Sequence, residues 1–79
     1  MLLTLSEIKI QLRLEDDYTD EDELLKLIGS GVQTRTESFL NRTLYDEKTG
    51  VPDNDPDGLV LTEDIRLGML LLATHFYEN

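Results

Sequence analysis

The chain has 79 residues, near the size below which one hydrophobic core needs help from disulfides, a metal ion or partner subunits. It has no cysteine and one histidine, His75, which excludes a disulfide framework, a thiolate metal site and a multi-histidine metal cage. Acidic residues outnumber basic ones by 17 to 7, and the formal net charge is −10. Unaided binding to a nucleic-acid backbone is excluded, because it needs clustered Lys and Arg. The remaining options are an oxygen-ligated metal or partner proteins.

The N-terminal segment, residues 1–5, lacks the basic residues and the long apolar stretch of a signal peptide. No segment elsewhere reaches the ~18 consecutive apolar residues that a membrane span needs. We therefore expect a soluble protein that is made inside the cell and has no membrane partner.

The first predicted helix begins at the sequence Thr4-Leu5-Ser6-Glu7. This is a capping box, in which the side chains of Thr4 and Glu7 each bond the other residue's backbone amide. Apolar residues then recur at helical spacing, and the helix is expected to end near Leu14, before a run of three acidic residues. The pattern predicts a short helix over residues 5–14.

The second predicted helix opens after Thr19, where four consecutive acidic residues favour the positive end of the helix dipole. It runs to about Arg42. Its apolar stripe has five members: Leu24, Leu25, Ile28, Val32 and Phe39. Gly29 and Gly31 weaken this helix by ~1 kcal/mol each relative to Ala. We interpret both glycines as points where another helix approaches closely.

Residues 45–58 are rich in Asp, Asn, Gly and Pro, which predicts a long acidic loop. At fourteen residues it exceeds most connections in compact domains. Residues 59–61 follow as a short extended stretch, and Thr62 is placed to cap the last helix.

Part of this region, residues 53–64, has the spacing D-x-D-x-D-G with a carboxylate at the twelfth position. The spacing resembles the calcium loop of EF-hand and dockerin proteins. However, Pro56 stiffens the turn, Leu61 offers no side-chain ligand at the ninth position, no helix leads in, and the loop is not repeated as it is in dockerins. We therefore predict no metal site, and a calcium-binding helical protein-interaction module remains the alternative function.

The last predicted helix is unusually apolar, since nine of the thirteen residues from 65 to 77 are apolar. One apolar stripe contains Ile65, Met69, Leu72 and Phe76. A second, roughly opposite stripe contains Leu67, Leu70, Leu71 and Thr74. We expect the first stripe to pack against the first two helices and the second against another chain. The other interpretation, that the first two helices cover both stripes, stays open.

No residue is predicted to be catalytic or to bind a cofactor. The serines have no histidine near them in sequence, His75 lies on an apolar helix, and the carboxylate pairs fall within runs of charge. The protein is therefore not expected to be an enzyme. The predicted fold is all-α: a small three-helix bundle with a long acidic loop between helices two and three, forming a single domain over residues 1–79.

Five sequence markers carry a resemblance to a known family. They are, in order, the segments 3–9 (Leu-Thr-Leu-Ser-Glu-Ile-Lys), 11–13 (Gln-Leu-Arg), 20–22 (Asp-Glu-Asp), 39–42 (Phe-Leu-Asn-Arg) and 63–79. Together they are similar to the small head–tail connector, or adaptor, proteins of tailed bacteriophages and prophages, the group with a Gln-Leu-Arg-Gly signature associated with DNA packaging. The signature glycine is Leu14 here. Family members usually continue into an arginine-bearing tail segment, whereas this sequence stops at Asn79.

The resemblance implies a structural virion protein at the head–tail interface, made in the bacterial host cytoplasm. It implies a homo-oligomeric ring at the portal vertex, which bridges the portal protein to downstream connector or tail proteins. DNA would pass through the ring without sequence-specific binding, and an acidic wall suits DNA that must slide. A head-to-tail contact between subunits would cover the second stripe of the last helix. The subunit-interface residues expected there are Leu67, Leu70, Leu71 and Thr74.

Overall fold

A computed structural model of the protein describes residues 1–78. Asn79, the last residue of the predicted domain and of the family markers, lies outside the described residues. The described part contains three helices: α1 (Leu5–Leu12), α2 (Asp22–Leu40) and α3 (Glu63–Glu78). It also contains two short strands, β1 (Leu44–Tyr45) and β2 (Leu59–Val60). The predicted three-helix fold is confirmed, and the strand pair is an addition to it.

The start of α1 confirms the predicted capping box. The Thr4 hydroxyl accepts a hydrogen bond from the Glu7 amide at 3.1 Å, and the Glu7 carboxylate accepts one from the Thr4 amide at 2.9 Å. The helix ends at Leu12 rather than near Leu14, because Arg13 adopts the left-handed conformation with φ 62°. A left-handed residue directly after a helix terminates it.

Helix α2 is also shorter than its sequence pattern predicts. It begins at Asp22 instead of directly after Thr19, because the residues before it form turns. In these turns the Tyr18 amide donates to the Glu15 carbonyl and the Asp22 amide to the Thr19 carbonyl. The helix ends at Leu40 rather than Arg42, since Asn41 takes the left-handed conformation with φ 56°.

The two strands form a parallel pair that brackets the acidic loop. Leu44 lies opposite Leu59, and Tyr45 lies opposite Val60. The predicted extended stretch before α3 is therefore confirmed, but its partner lies at the start of the segment predicted to be all loop. This pairing fixes both ends of residues 46–58 at one point of the molecule.

The core receives side chains from every helix and from the chain around the strands. Its eight buried apolar residues are Leu3, Ile8, Leu25, Val32, Leu44, Leu61, Met69 and Ala73. Gly29 lets α1 approach α2 closely, because a Cβ at Gly29 would lie 3.1 Å from Ile8 Cδ1 and would overlap the Met1 side chain. The prediction of a close approach is confirmed for Gly29 and wrong for Gly31, which is exposed and would place a Cβ in open space.

Three polar contacts align the helices. The buried Lys9 ammonium, near the end of α1, lies 3.0 Å from a buried oxygen of Asp22, at the start of α2. This oxygen has an ionic partner but no well-aligned hydrogen bond within residues 1–78. Arg66 and Glu7 form an ion pair of 2.8 Å between the first turns of α3 and α1. The Glu21 carboxylate accepts from the Tyr77 hydroxyl at 2.7 Å. Thus α1 and α3 run parallel, and α2 runs antiparallel to both.

Candidate assembly surface

The most exposed apolar residues of α3 lie on the side away from the core. Leu67 and Leu71 are each 56% exposed and lie four residues apart, on one side of the helix. On the opposite side Met69 and Ala73 are fully buried. We call the surface formed by Asp64, Leu67 and Leu71 the α3 outer face. Two neighbouring exposed leucines make this face a candidate for contact with another protein.

The other two predicted interface residues have a different environment. Leu70 packs half-buried against the core of its own chain. Thr74 is also half-buried, and its hydroxyl donates to the Leu70 carbonyl at 3.0 Å. The structure therefore brings Leu67 and Leu71 together on the surface, whereas Leu70 and Thr74 lie between that surface and the core. The place of all four in a contact between subunits stays a prediction.

The first predicted stripe of α3 largely faces inward. Met69 is buried, Ile65 and Leu72 pack half-buried against the core, and Phe76 is 39% exposed. Its ring lies 5.8 Å from the His75 ring, centroid to centroid. Phe76 therefore extends the apolar surface of α3 toward the end of the helix instead of packing fully inside.

A second exposed apolar face lies on α2. Leu27 is 70% exposed and Leu24 is 44% exposed, while Gly31 leaves the backbone beyond them uncovered. We call the surface formed by Leu24, Leu27, Gly31 and Arg35 the α2 outer face. It lies beside the buried stripe of the helix, which contains Leu25, Gly29 and Val32.

This face corrects the single stripe that the sequence predicts for α2. Leu24 and Phe39, both assigned to the stripe, are exposed, and Phe39 reaches 88%. The pattern that reveals the outer face was present in the sequence, because positions 24, 27 and 31 recur at helical spacing. The sequence of α2 therefore contains a second stripe, as that of α3 does.

Each outer face also carries one charged residue. Arg35 is exposed on α2, and within residues 1–78 its guanidinium forms neither an ion pair nor a hydrogen bond. Asp64 lies in the first turn of α3, where the Thr62 hydroxyl donates to its carboxylate. That hydrogen bond, together with the backbone amides of Asp64 and Ile65, lowers the pKa of Asp64 below its ordinary value. Asp64 is therefore an anion at neutral pH.

The acidic loop is stabilised by its own contacts. The Tyr45 hydroxyl donates to the Asp55 carboxylate at 2.7 Å, and the Gly58 amide donates to the Asp55 carbonyl at 3.1 Å. A Cβ at Gly58 would lie 2.6 Å from the Tyr45 ring, so the glycine is needed for this packing. Among residues 1–78, no group of three or more His, Asp or Glu side chains is placed to hold a metal ion. The glycine of the D-x-D-x-D-G spacing thus serves the packing of Tyr45.

These features define a small helical protein whose distinctive surfaces are two exposed apolar helix faces, as in proteins that work by assembly. The comparison with protein families agrees with this class: residues 2–79 match the family model of the phage gp6-like head–tail connector proteins. The chain belongs to that family, which is a family of structural connectors and not of enzymes. No curated protein and no solved structure matches the chain. None of the helices formed by residues 1–78 is long and apolar enough to cross a membrane.

Proposed function

We propose that the protein forms a ring of identical subunits at the portal vertex of a phage or prophage particle. The ring bridges the portal protein of the capsid to the downstream connector or tail proteins, and residues 1–79 act as one connector domain within it. It belongs to the Gln-Leu-Arg-Gly group of connectors. Membership of the head–tail connector family supports this structural role.

The observation that carries the ring is the presence of two separate apolar faces on one small chain. A closed ring of identical subunits uses a head-to-tail contact, in which one surface of each copy meets a different surface of the next. The α2 and α3 outer faces supply two such surfaces, because they lie on different helices and both remain uncovered. A two-fold dimer would need only one self-complementary surface.

The charge of the chain suits a channel for DNA. With 17 acidic and 7 basic residues, the subunit repels the phosphate backbone and holds no excess of cations to bind it. DNA therefore passes through the ring without being held there.

Native mass spectrometry and negative-stain images of the purified protein, alone and with its portal protein, test this function. We expect a closed ring under at least one of the two conditions, and copurification of ring and portal. A strict monomer across a wide concentration range, which also fails to assemble on the portal, would contradict the proposal. A variant with serine in place of Ile10, an exposed apolar residue of α1, is the control and should assemble like the native chain.

A further inference from the structure

We propose that the α3 outer face of one copy packs antiparallel against the α2 outer face of the next, with Leu67 over Gly31 and Asp64 beside Arg35. The inference rests on the proposed ring and names the contact that closes it. The occupant of each face is a second copy of this chain, because the two faces complement each other in shape and in charge.

The two faces cannot meet within one chain. Helices α2 and α3 pack on each other through their inner sides, which include Leu25 and Met69, both at most 1% exposed. Their outer faces therefore point away from the shared core. A contact between the faces must join two copies, and repeating it joins each copy to a further one.

The residues of the two faces match in spacing. Leu27 and Gly31 are four residues apart, as are Leu67 and Leu71, and each step spans about 6 Å along a helix. When the two helices lie antiparallel with Leu71 beside Leu27, Leu67 reaches Gly31. There the surface is open, since a Cβ at Gly31 would meet no atom within 4 Å. A leucine side chain can therefore sit directly on the α2 backbone, as a knob in a hole.

Beyond these residues, the two faces carry opposite charges. Arg35 lies one further turn along α2, and Asp64 lies three residues before Leu67 on α3, about 6 Å and 4.5 Å away respectively. The antiparallel register therefore places the guanidinium next to an ionised carboxylate. A parallel register, with Leu67 beside Leu27, would instead place Asp64 level with Leu24, next to the acidic Glu23 and far from Arg35. Like charges across a contact disfavour it, so the charges select the antiparallel orientation.

Cysteine cross-linking tests the contact directly, because the natural chain has no cysteine. In the variant with Leu27→Cys and Leu71→Cys, the two positions lie side by side across the proposed contact, within the short range that a disulfide requires. We expect oxidation to give a ladder of covalent multimers that collapses to monomer on reduction. The matched control, Ile10→Cys with Leu71→Cys, places one thiol on the exposed side of α1 and should stay largely monomeric on a denaturing gel.

Charge reversal tests the register. Arg35→Glu alone and Asp64→Lys alone should each weaken assembly by roughly tenfold or more, since each brings like charges together. Combining both changes in one chain should restore assembly, as should mixing the two single variants. Restoration separates a lost contact from a folding defect, which neither a second substitution nor mixing would repair.

The outcomes distinguish the inference from the function on which it rests. Rings that form without cross-linking the Leu27→Cys and Leu71→Cys chain would overturn the inference and leave the proposed function intact. Equal cross-linking of the Ile10→Cys control, or rings that assemble normally with either single charge reversal, would also overturn the inference. If no ring forms even with the portal, the inference and the proposed function both fail.

Discussion

Met69 and Leu71 are two residues apart on α3, yet Met69 is 1% exposed and Leu71 is 56% exposed. The inner side of the helix is covered by α1 and α2, whereas the outer side has no cover from its own chain. Both sides carry large apolar residues. The difference teaches that apolar character alone does not assign a residue to the monomer's core. The inner side stabilises the fold, and the outer side is available for a partner.

The two ends of α3 differ from its inner and outer sides, because polar contacts hold them in place. Arg66 pairs with Glu7 at one end of the helix, and Tyr77 donates to Glu21 at the other. These contacts fit the rotation of α3 that buries Met69 and leaves Leu67 and Leu71 facing outward. Substitutions on the inner side, at the ends and on the outer side of α3 should therefore have different effects.

The largest effect on the free energy of unfolding is expected on the inner side of α3. Met69→Ala leaves a cavity between α3 and the other helices, so the free energy of unfolding should fall by about 2–5 kcal/mol. Leu71→Ala is the matched control on the outer side, and urea unfolding of the monomer should change by less than about 0.5 kcal/mol. Equal losses for the two variants would show that the outer side is covered by its own chain after all.

Local sequence signals predicted much of the fold. The capping box at Thr4 and Glu7 is confirmed, because it depends only on residues near in sequence. The close approach at Gly29 is also confirmed, but the same signal is wrong at Gly31, because the approaching residue, Ile8, is distant in sequence. The family resemblance is also confirmed over residues 2–79. Helix ends were placed up to two residues wrong, since turns and left-handed residues at positions 13 and 41 compete with the helix.

The rest of the fold depends on contacts between residues far apart in sequence, which no local pattern predicts. The Tyr77–Glu21 and Arg66–Glu7 contacts join residues 56 and 59 positions apart, and they exist only once the helices have packed. The pairing of β1 with β2 is likewise set by the closure of the acidic loop. For the candidate surface, the second stripe of α3 predicts the exposed Leu67 and Leu71. The single stripe predicted for α2 does not contain Leu27, so it does not reveal the α2 outer face.

A smaller effect on the free energy of unfolding is expected at the end of α3 that carries Arg66. Arg66→Gln removes the ion pair with Glu7, whose side chains are 25% and 28% exposed, so we expect a loss of roughly 0.2–1 kcal/mol. The loss should shrink at high salt, which screens the pair. Arg13→Gln is the control, because Arg13 is exposed and has no side-chain partner within residues 1–78. A salt-independent loss at Arg66 would point to packing of its aliphatic part instead.

The contact between Tyr77 and Glu21 should affect how the stability of the fold depends on pH. The hydrogen bond to Glu21, then burial and the charge of Glu21, raise the pKa of Tyr77 above its ordinary value of 10.0. The folded state thus holds the phenolic proton more tightly than the unfolded state does. The stabilisation is complete below pH 10 and is lost as the pH rises through the raised pKa.

Thermal unfolding of the native chain and of Tyr77→Phe between pH 8 and pH 11 checks this sign. The variant should melt at a lower temperature at pH 8, and its melting temperature should fall less steeply above pH 10. Tyr18 and Tyr45 also have raised pKa values, so some fall should remain in both proteins. Parallel profiles for the two proteins would show that the contact between Tyr77 and Glu21 does not contribute to folding.

The smallest effect on the monomer, and the largest on assembly, is expected on the outer side. Replacing both Leu67 and Leu71 by serine should change the free energy of unfolding of the monomer by about 0.5 kcal/mol or less for each residue, because both side chains already contact water. The same variant should lose the ring in native mass spectrometry, since the apolar surface offered to the neighbour is gone. The Ile10→Ser control removes a side chain that is 75% exposed but lies on α1, and it should keep both stability and ring. If the double variant still forms the ring, Leu67 and Leu71 do not contribute to assembly and are ordinary exposed surface residues.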